Sequence, residues 1–186
     1  GMIGRTLGLV PMPIDLQPAG WRLALGEGID QRRARALLVQ DLDRLEELAD
    51  GLELAIKQQV TGPLTLAATV ERPRGDKLLA DHGARRELAE ALGEGLRDHL
   101  SDLRRRFAGA DLLVQVDEPG ISAVLSGAVP TASGFGKHRT VQPPEADALL
   151  AQLVSAVHDA GAKAVLHSCA AELPVGLVAG AGFDAI

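Results

Sequence analysis

The chain has 186 residues, 46% hydrophobic and 24% charged, the balance of an ordinary globular protein with room for a sizeable core. A formal charge of -6, a pI near 5.3 and an aromatic content of only 2% argue against general nucleic-acid binding, because neither a basic field nor stacking rings are available. No apolar run approaches the roughly 20 residues that cross a bilayer, and the single cysteine, Cys169, permits no internal disulfide, so a cytoplasmic, non-membrane protein is expected.

In chain order, the first predicted element is a helix whose apolar stripe is Ala34, Leu37, Leu38, Leu42, Leu45 and Leu48. A strand follows from Leu54 to Val60, then a second helix with Leu88, Leu92, Leu96, Leu103 and Phe107 on one face. Arg104, Arg105 and Arg106 read as a solvated basic run that complements the end of this helix. The next strand covers Leu112 to Glu118. Pro143-Pro144-Glu145 is good N-terminal chemistry for a third helix, carrying Leu149, Leu150, Leu153, Val154 and Val157. A strand from Ala164 to Cys169, a short helix from about Glu172 to Gly180 or Gly182, and the opening of a strand at Asp184-Ala185-Ile186 complete the chain.

Strands alternating with helices imply right-handed crossovers and a parallel sheet. Aliphatic runs such as Leu112-Leu113-Val114 and Ala164-Val165-Leu166 suggest strands covered on both faces. The sequence has neither a dinucleotide-type glycine fingerprint nor a phosphate loop; Gly134-Phe135-Gly136-Lys137 is too short and reads as a mobile loop.

Three strand ends carry the residues with chemical potential. In His167-Ser168-Cys169, positions i and i+2 of a strand share a face, so imidazole and thiol could serve one zinc ion; the spacing equally suits a small buried cysteine beside an unrelated histidine. In Gln115-Val116-Asp117-Glu118-Pro119, Gln115 and Asp117 share one face and Glu118 takes the other. An acid there could clamp a substrate ammonium group or move a proton, or else be a solvated strand terminus. Gln58-Gln59-Val60-Thr61-Gly62-Pro63 could present amides and a hydroxyl to a ligand, or form a simple strand-to-helix turn. Trp21 could stack on a flat ligand or anchor a loop.

Taken in order, Gln59-Val60-Thr61-Gly62-Pro63-Leu64-Thr65, Gln115-Val116-Asp117-Glu118-Pro119 and His167-Ser168-Cys169 resemble the cobalamin-independent methionine synthase family. Asp15 to Trp21 and Pro130 to Gly136 are also similar to a short branch of that family, so the resemblance spans essentially the whole chain. It implies a parallel β/α (TIM) barrel of the methionine synthase/uroporphyrinogen decarboxylase type. A closed barrel needs about eight strands and ~250 residues, so a single partial-barrel domain over residues 1–186, truncated at both ends, is expected. The implied activity is methyl transfer from methyltetrahydrofolate polyglutamate to homocysteine. His167 and Cys169 would be zinc ligands, and Asp117, with Glu118 beside it, would bind the substrate.

The family's first-strand Ile-Gly-Ser turn is missing, since Met2-Ile3-Gly4-Arg5 does not match it, and its remaining zinc ligands would lie past Ile186. Ligand counting therefore predicts weak zinc binding and no turnover by this chain alone. Two alternatives belong to other classes: a corrinoid-linked methyltransferase or decarboxylase of the same superfamily, and a non-catalytic module whose exposed sheet edges are covered by a second copy.

Overall fold

The computed structural model describes residues 1–50, 52 and 55–186; Leu54, the expected start of the first strand, lies outside the described residues. The chain opens with α1 (Met2–Leu9), a hairpin of β1 (Ile14–Gln17) and β2 (Gly20–Leu23), and α2 (Ile29–Ala49). Then come β3 (Ala55–Thr61), α3 (Pro63–Thr69), a 3-10 turn at Leu78–Ala80, α4 (His82–Arg106), β4 (Asp111–Asp117) and α5 (Ile121–Ser126). The last elements are α6 (Pro143–Asp159), β5 (Lys163–His167) and α7 (Val175–Gly180). Among the described residues no helix is long and apolar enough to cross a membrane.

β3, β4 and β5 form a three-stranded parallel sheet in chain order, with Thr61 level with Asp117 and Asp117 level with His167. Beyond β5 the pairing shrinks to a single bridge between Val165 and Ala185, held by Asp184 N to Ala164 O (2.8 Å) and Leu166 N to Ala185 O (3.0 Å). The expected partial β/α barrel is not the fold: among the described residues the parallel sheet has three strands, does not close, and stands beside a separate two-stranded antiparallel sheet.

The expectation of two covered faces also fails, for a reason visible once the strands are laid side by side. Ile56, Val60, Leu112, Val114, Val116, Ala164 and Leu166 are buried. They share one face of the pleat and join the apolar core with Leu88, Leu92 and Leu96 of α4 and Leu150 and Leu153 of α6. On the other face Lys57 and Gln59 are exposed, and Leu113, Gln115 and Val165 are only half-buried. Leu113 and Val165 had made the runs look continuous, although their neighbours on that face are polar. That open polar face is where the candidate site is built.

The amino-terminal third packs differently from its sequence pattern. On α2, Leu38 and Leu42 are buried, whereas Leu37 and Leu48 are 51% and 66% exposed, so the buried stripe is narrower than predicted. Its polar member is Gln31, fully buried near the helix start. Gln31 Oε1 accepts from Ile14 N (3.0 Å), and its amide nitrogen donates to Leu7 O, Val10 O and Met12 O at 3.2, 3.2 and 2.7 Å. One side chain thereby satisfies the backbone of the turn that joins α1 to the hairpin. Gln31→Leu keeps the volume but strands those groups without solvent, so a loss of about 2–4 kcal/mol is expected in urea denaturation.

Trp21 of β2 lies against α1, whose Gly4 leaves room for the ring: a Cβ there would stand 3.1 Å from Trp21 Cζ2. The ring is half-buried and packs against the apolar core. The arginine run is not simply solvated either. Arg104 donates to Ala160 O (2.8 Å) and Gly161 O (2.6 Å), and Arg106 bridges Asp43 and Glu46 of α2 at 2.7 and 2.8 Å.

Candidate functional site

The site lies where β4 and β5 end. Asp117, the last residue of β4, faces the open side of the sheet yet is only 2% exposed, because its neighbours enclose it. Its Oδ1 accepts from Gln115 Nε2 (2.8 Å) and pairs with His167 Nδ1 (2.9 Å), while the Gln59 amide donates to Oδ2. The Gln115 amide is orientated by Lys57, whose Nζ donates to Oε1 at 2.8 Å and so turns the amide nitrogen towards Asp117. Lys57, Gln115, Asp117 and His167 therefore form a polar chain running obliquely over three strands.

The next member is Cys169, exposed, with Sγ 3.6 Å from His167 Nε2. A carboxylate accepting at Nδ1 fixes the imidazole tautomer with its proton on Nδ1, leaving the Nε2 lone pair directed at the thiol side. The histidine side chain is 53% exposed, so this edge of the ring is open to solvent and ligand.

The donor set fits zinc as a pair. Two ligands of one tetrahedral zinc, with Zn–N about 2.05 Å and Zn–S about 2.3 Å, stand about 3.5 Å apart, against the 3.6 Å found between Nε2 and Sγ. The buried Asp117 behind Nδ1 is the outer carboxylate that ligating histidines commonly have. Among the described residues no group of three or more His, Cys, Asp or Glu side chains is arranged to hold a metal, so the pair stands without a third protein ligand there.

Asp117 and Glu118 take opposite faces of the sheet, and both carboxyl groups are buried and hydrogen-bonded within the protein. All three donors around Asp117 come from the protein, so its carboxylate is engaged and screened from a substrate ammonium group. Its place is behind the imidazole. Glu118 points to the opposite face, is 0% exposed, and caps the start of α3: Oε1 accepts from Leu64 N (2.8 Å), and Oε2 from Thr65 N (2.8 Å) and Thr65 Oγ1 (2.5 Å). Burial, working against these donors, raises the Glu118 carboxyl to about 7. A Cβ on Gly62 would stand 2.3 Å from Glu118 Oε1, so glycine at that turn is required by space.

Glu118 still shapes the site through its backbone. Its N–H donates to His167 O (2.9 Å), and Ser168 Oγ donates to Glu118 O (2.9 Å), locking the β5 exit against the β4 exit. Of the Gln58 to Pro63 segment, Gln59 joins the site; Gln58 instead contacts His99 (3.1 Å), Thr61 is buried against Thr6 (3.3 Å), and Pro63 starts α3. The part played by Gln59 and Lys57 escaped the sequence reading, although both have the strand parity of Gln115 and Asp117. No protein-family model, characterised protein or solved structure matches this chain.

Proposed function

We propose that the strand-end cluster is a thiol-activating metal site used for methyl transfer from methyltetrahydrofolate to homocysteine, as the resemblance to cobalamin-independent methionine synthases implies. The observation that carries this reading is the alignment Asp117–His167–Cys169, in which a nitrogen and a sulfur donor stand at the separation one zinc ion requires. Zinc held there would keep a substrate thiol in its reactive thiolate form at neutral pH.

The chain's own contributions follow from the contacts. Asp117 holds the Nδ1 proton and keeps the ring from rotating, which leaves Nε2 as a donor. Cys169 supplies a soft anionic ligand from an exposed position. Gln59 and Gln115 hold the Asp117 carboxyl group in place behind the ring. Because the reading leaves coordination positions for ligands other than this pair, the substrate sulfur is an expected one. Zinc uptake should therefore strengthen when homocysteine is added. Uptake indifferent to homocysteine, or to loss of Cys169, contradicts the proposal.

A second reading rests on the same 3.6 Å contact: His167, orientated by Asp117, as the base of a cysteine nucleophile. Alkylation of Cys169 separates the two. Zinc protects the thiol from iodoacetamide under the first reading and leaves its rate unchanged under the second.

A further inference from the structure

Away from this cluster, a concavity of about 470 Å³ opens beside the first turn of α4 and the loop that leads into α6. Its wall includes His82, Arg85, Lys137, His138, Arg139 and Thr140, and no acidic side chain lines it. In a chain of net charge -6, five basic residues gathered in one hollow require an explanation.

The acids nearby are already engaged. Glu145 Oε1 meets His82 Nδ1 (2.9 Å) and Arg85 Nε (2.6 Å), and the arginine's Nη1 donates to Leu79 O. Asp76 Oδ1 accepts from Lys77 N (2.8 Å) and Ala132 N (2.9 Å) and pairs with His138 Nε2 (3.0 Å). These contacts fix Arg85 and His138 in place while leaving Nη2 of Arg85 free to donate. Lys137 and Arg139 are exposed and, among the described residues, have no carboxylate at ion-pair distance. The hollow also lies beside the amino end of the 25-residue α4, whose own cap carboxylate, Asp81, is likewise engaged, accepting from Ala84 N (2.9 Å) and standing 3.7 Å from Arg72.

We infer that this hollow is an oxyanion-binding site for a multiply charged ligand, a phosphate ester or a polycarboxylate, clasped by Lys137 and Arg139 over the fixed guanidinium of Arg85, with His82 and Thr140 also lining it. A fixed guanidinium at the base and exposed cations at the mouth suit a ligand that is captured from solution and then orientated by Arg85. The inference is independent of the metal reading, since it shares no side chain with it.

Calorimetric titration of the full chain with inorganic phosphate and, separately, with citrate tests it. Saturable binding that weakens with salt is expected, together with at least about a tenfold loss in Lys137→Ala/Arg139→Ala. Neither side chain has a partner whose loss would disturb folding, and circular dichroism checks this. Arg33→Ala/Arg44→Ala removes the same charge from α2, where both side chains are 71% exposed, and should leave binding within about twofold. Tighter phosphate than citrate identifies a phosphate ligand, and the reverse a carboxylate one. Absence of saturable binding for both anions, or an equal loss in the two double variants, overturns the inference.

Discussion

Replacing Glu118 with alanine should destabilise the protein by about 3–5 kcal/mol, because two backbone N–H groups at the start of α3 and the Thr65 hydroxyl lose a fully buried acceptor and a cavity opens behind Gly62. For a chain of this length that corresponds to a fall in Tm of roughly 10 °C or more. The same residue gives stability a dependence on pH whose direction is fixed. Its folded pKa, raised to about 7 from an ordinary 4.5, means that the folded state holds the proton more tightly. The associated stability is complete below about pH 4.5 and is lost as pH rises through about 7, on the order of 3 kcal/mol at most.

Other groups titrate nearby with the opposite sense. Burial lowers the His99 pKa, so its contribution is present above 6.5 and lost as pH falls. Hydrogen bonds lower Asp76, Glu145 and Asp184, whose contributions are lost only at more acidic pH. Glu118→Gln cancels these in a difference curve. The amide must point its NH2 at a backbone donor, so the variant is less stable than the parent at pH 5, and the gap should narrow by pH 8. Parallel stability curves for the two proteins would contradict the assignment of Glu118 as the titrating group.

The second large effect concerns Asp117. Asp117→Asn preserves shape but presents an amide where Gln59, Gln115 and His167 all require an acceptor. The asparagine either turns its NH2 towards Nδ1 and reverses the imidazole tautomer, or strands one of the glutamines. Under the proposed function, zinc affinity should fall about 10–100-fold, the cost typical of removing the carboxylate behind a ligating histidine. Competition with a chromophoric chelator measures this directly. Circular dichroism serves as the control, since the strand itself is held by pairing on both sides. An unchanged affinity would show that Asp117 does not position His167.

These expectations show which parts of the molecule could be read from residue order. The strands around Val60, Val116 and Leu166 and the helices over Leu92 and Leu150 were legible because long apolar runs and helical spacing report local structure. Within one strand parity is a local rule, so Gln115 and Asp117 could be paired from the sequence, whereas the expected strand through Cys169 stops at His167 and the level of Asp117 with His167 is set by inter-strand register. Closure was not legible. Whether a parallel sheet curls into a barrel or stays open depends on which elements cover Lys57, Gln59 and Gln115, and the aliphatic neighbours Leu113 and Val165 concealed how polar that face is. The fate of Glu118 was equally hidden. Its cap reaches to Leu64 and Thr65, more than fifty positions away in the chain, and no pattern within one strand distinguishes a buried acceptor from an acid turned to solvent. The β1–β2 hairpin is short, and its four-residue strands carry too little periodicity to stand out.

The central claim, that His167 and Cys169 hold one metal ion between them, is tested most directly by X-ray absorption at the zinc edge of the loaded protein, with and without homocysteine. The account predicts one imidazole and one sulfur from the chain, a second sulfur once homocysteine is present, and loss of the first in Cys169→Ser. A shell of oxygen and nitrogen alone, or one unaltered by Cys169→Ser, would contradict it.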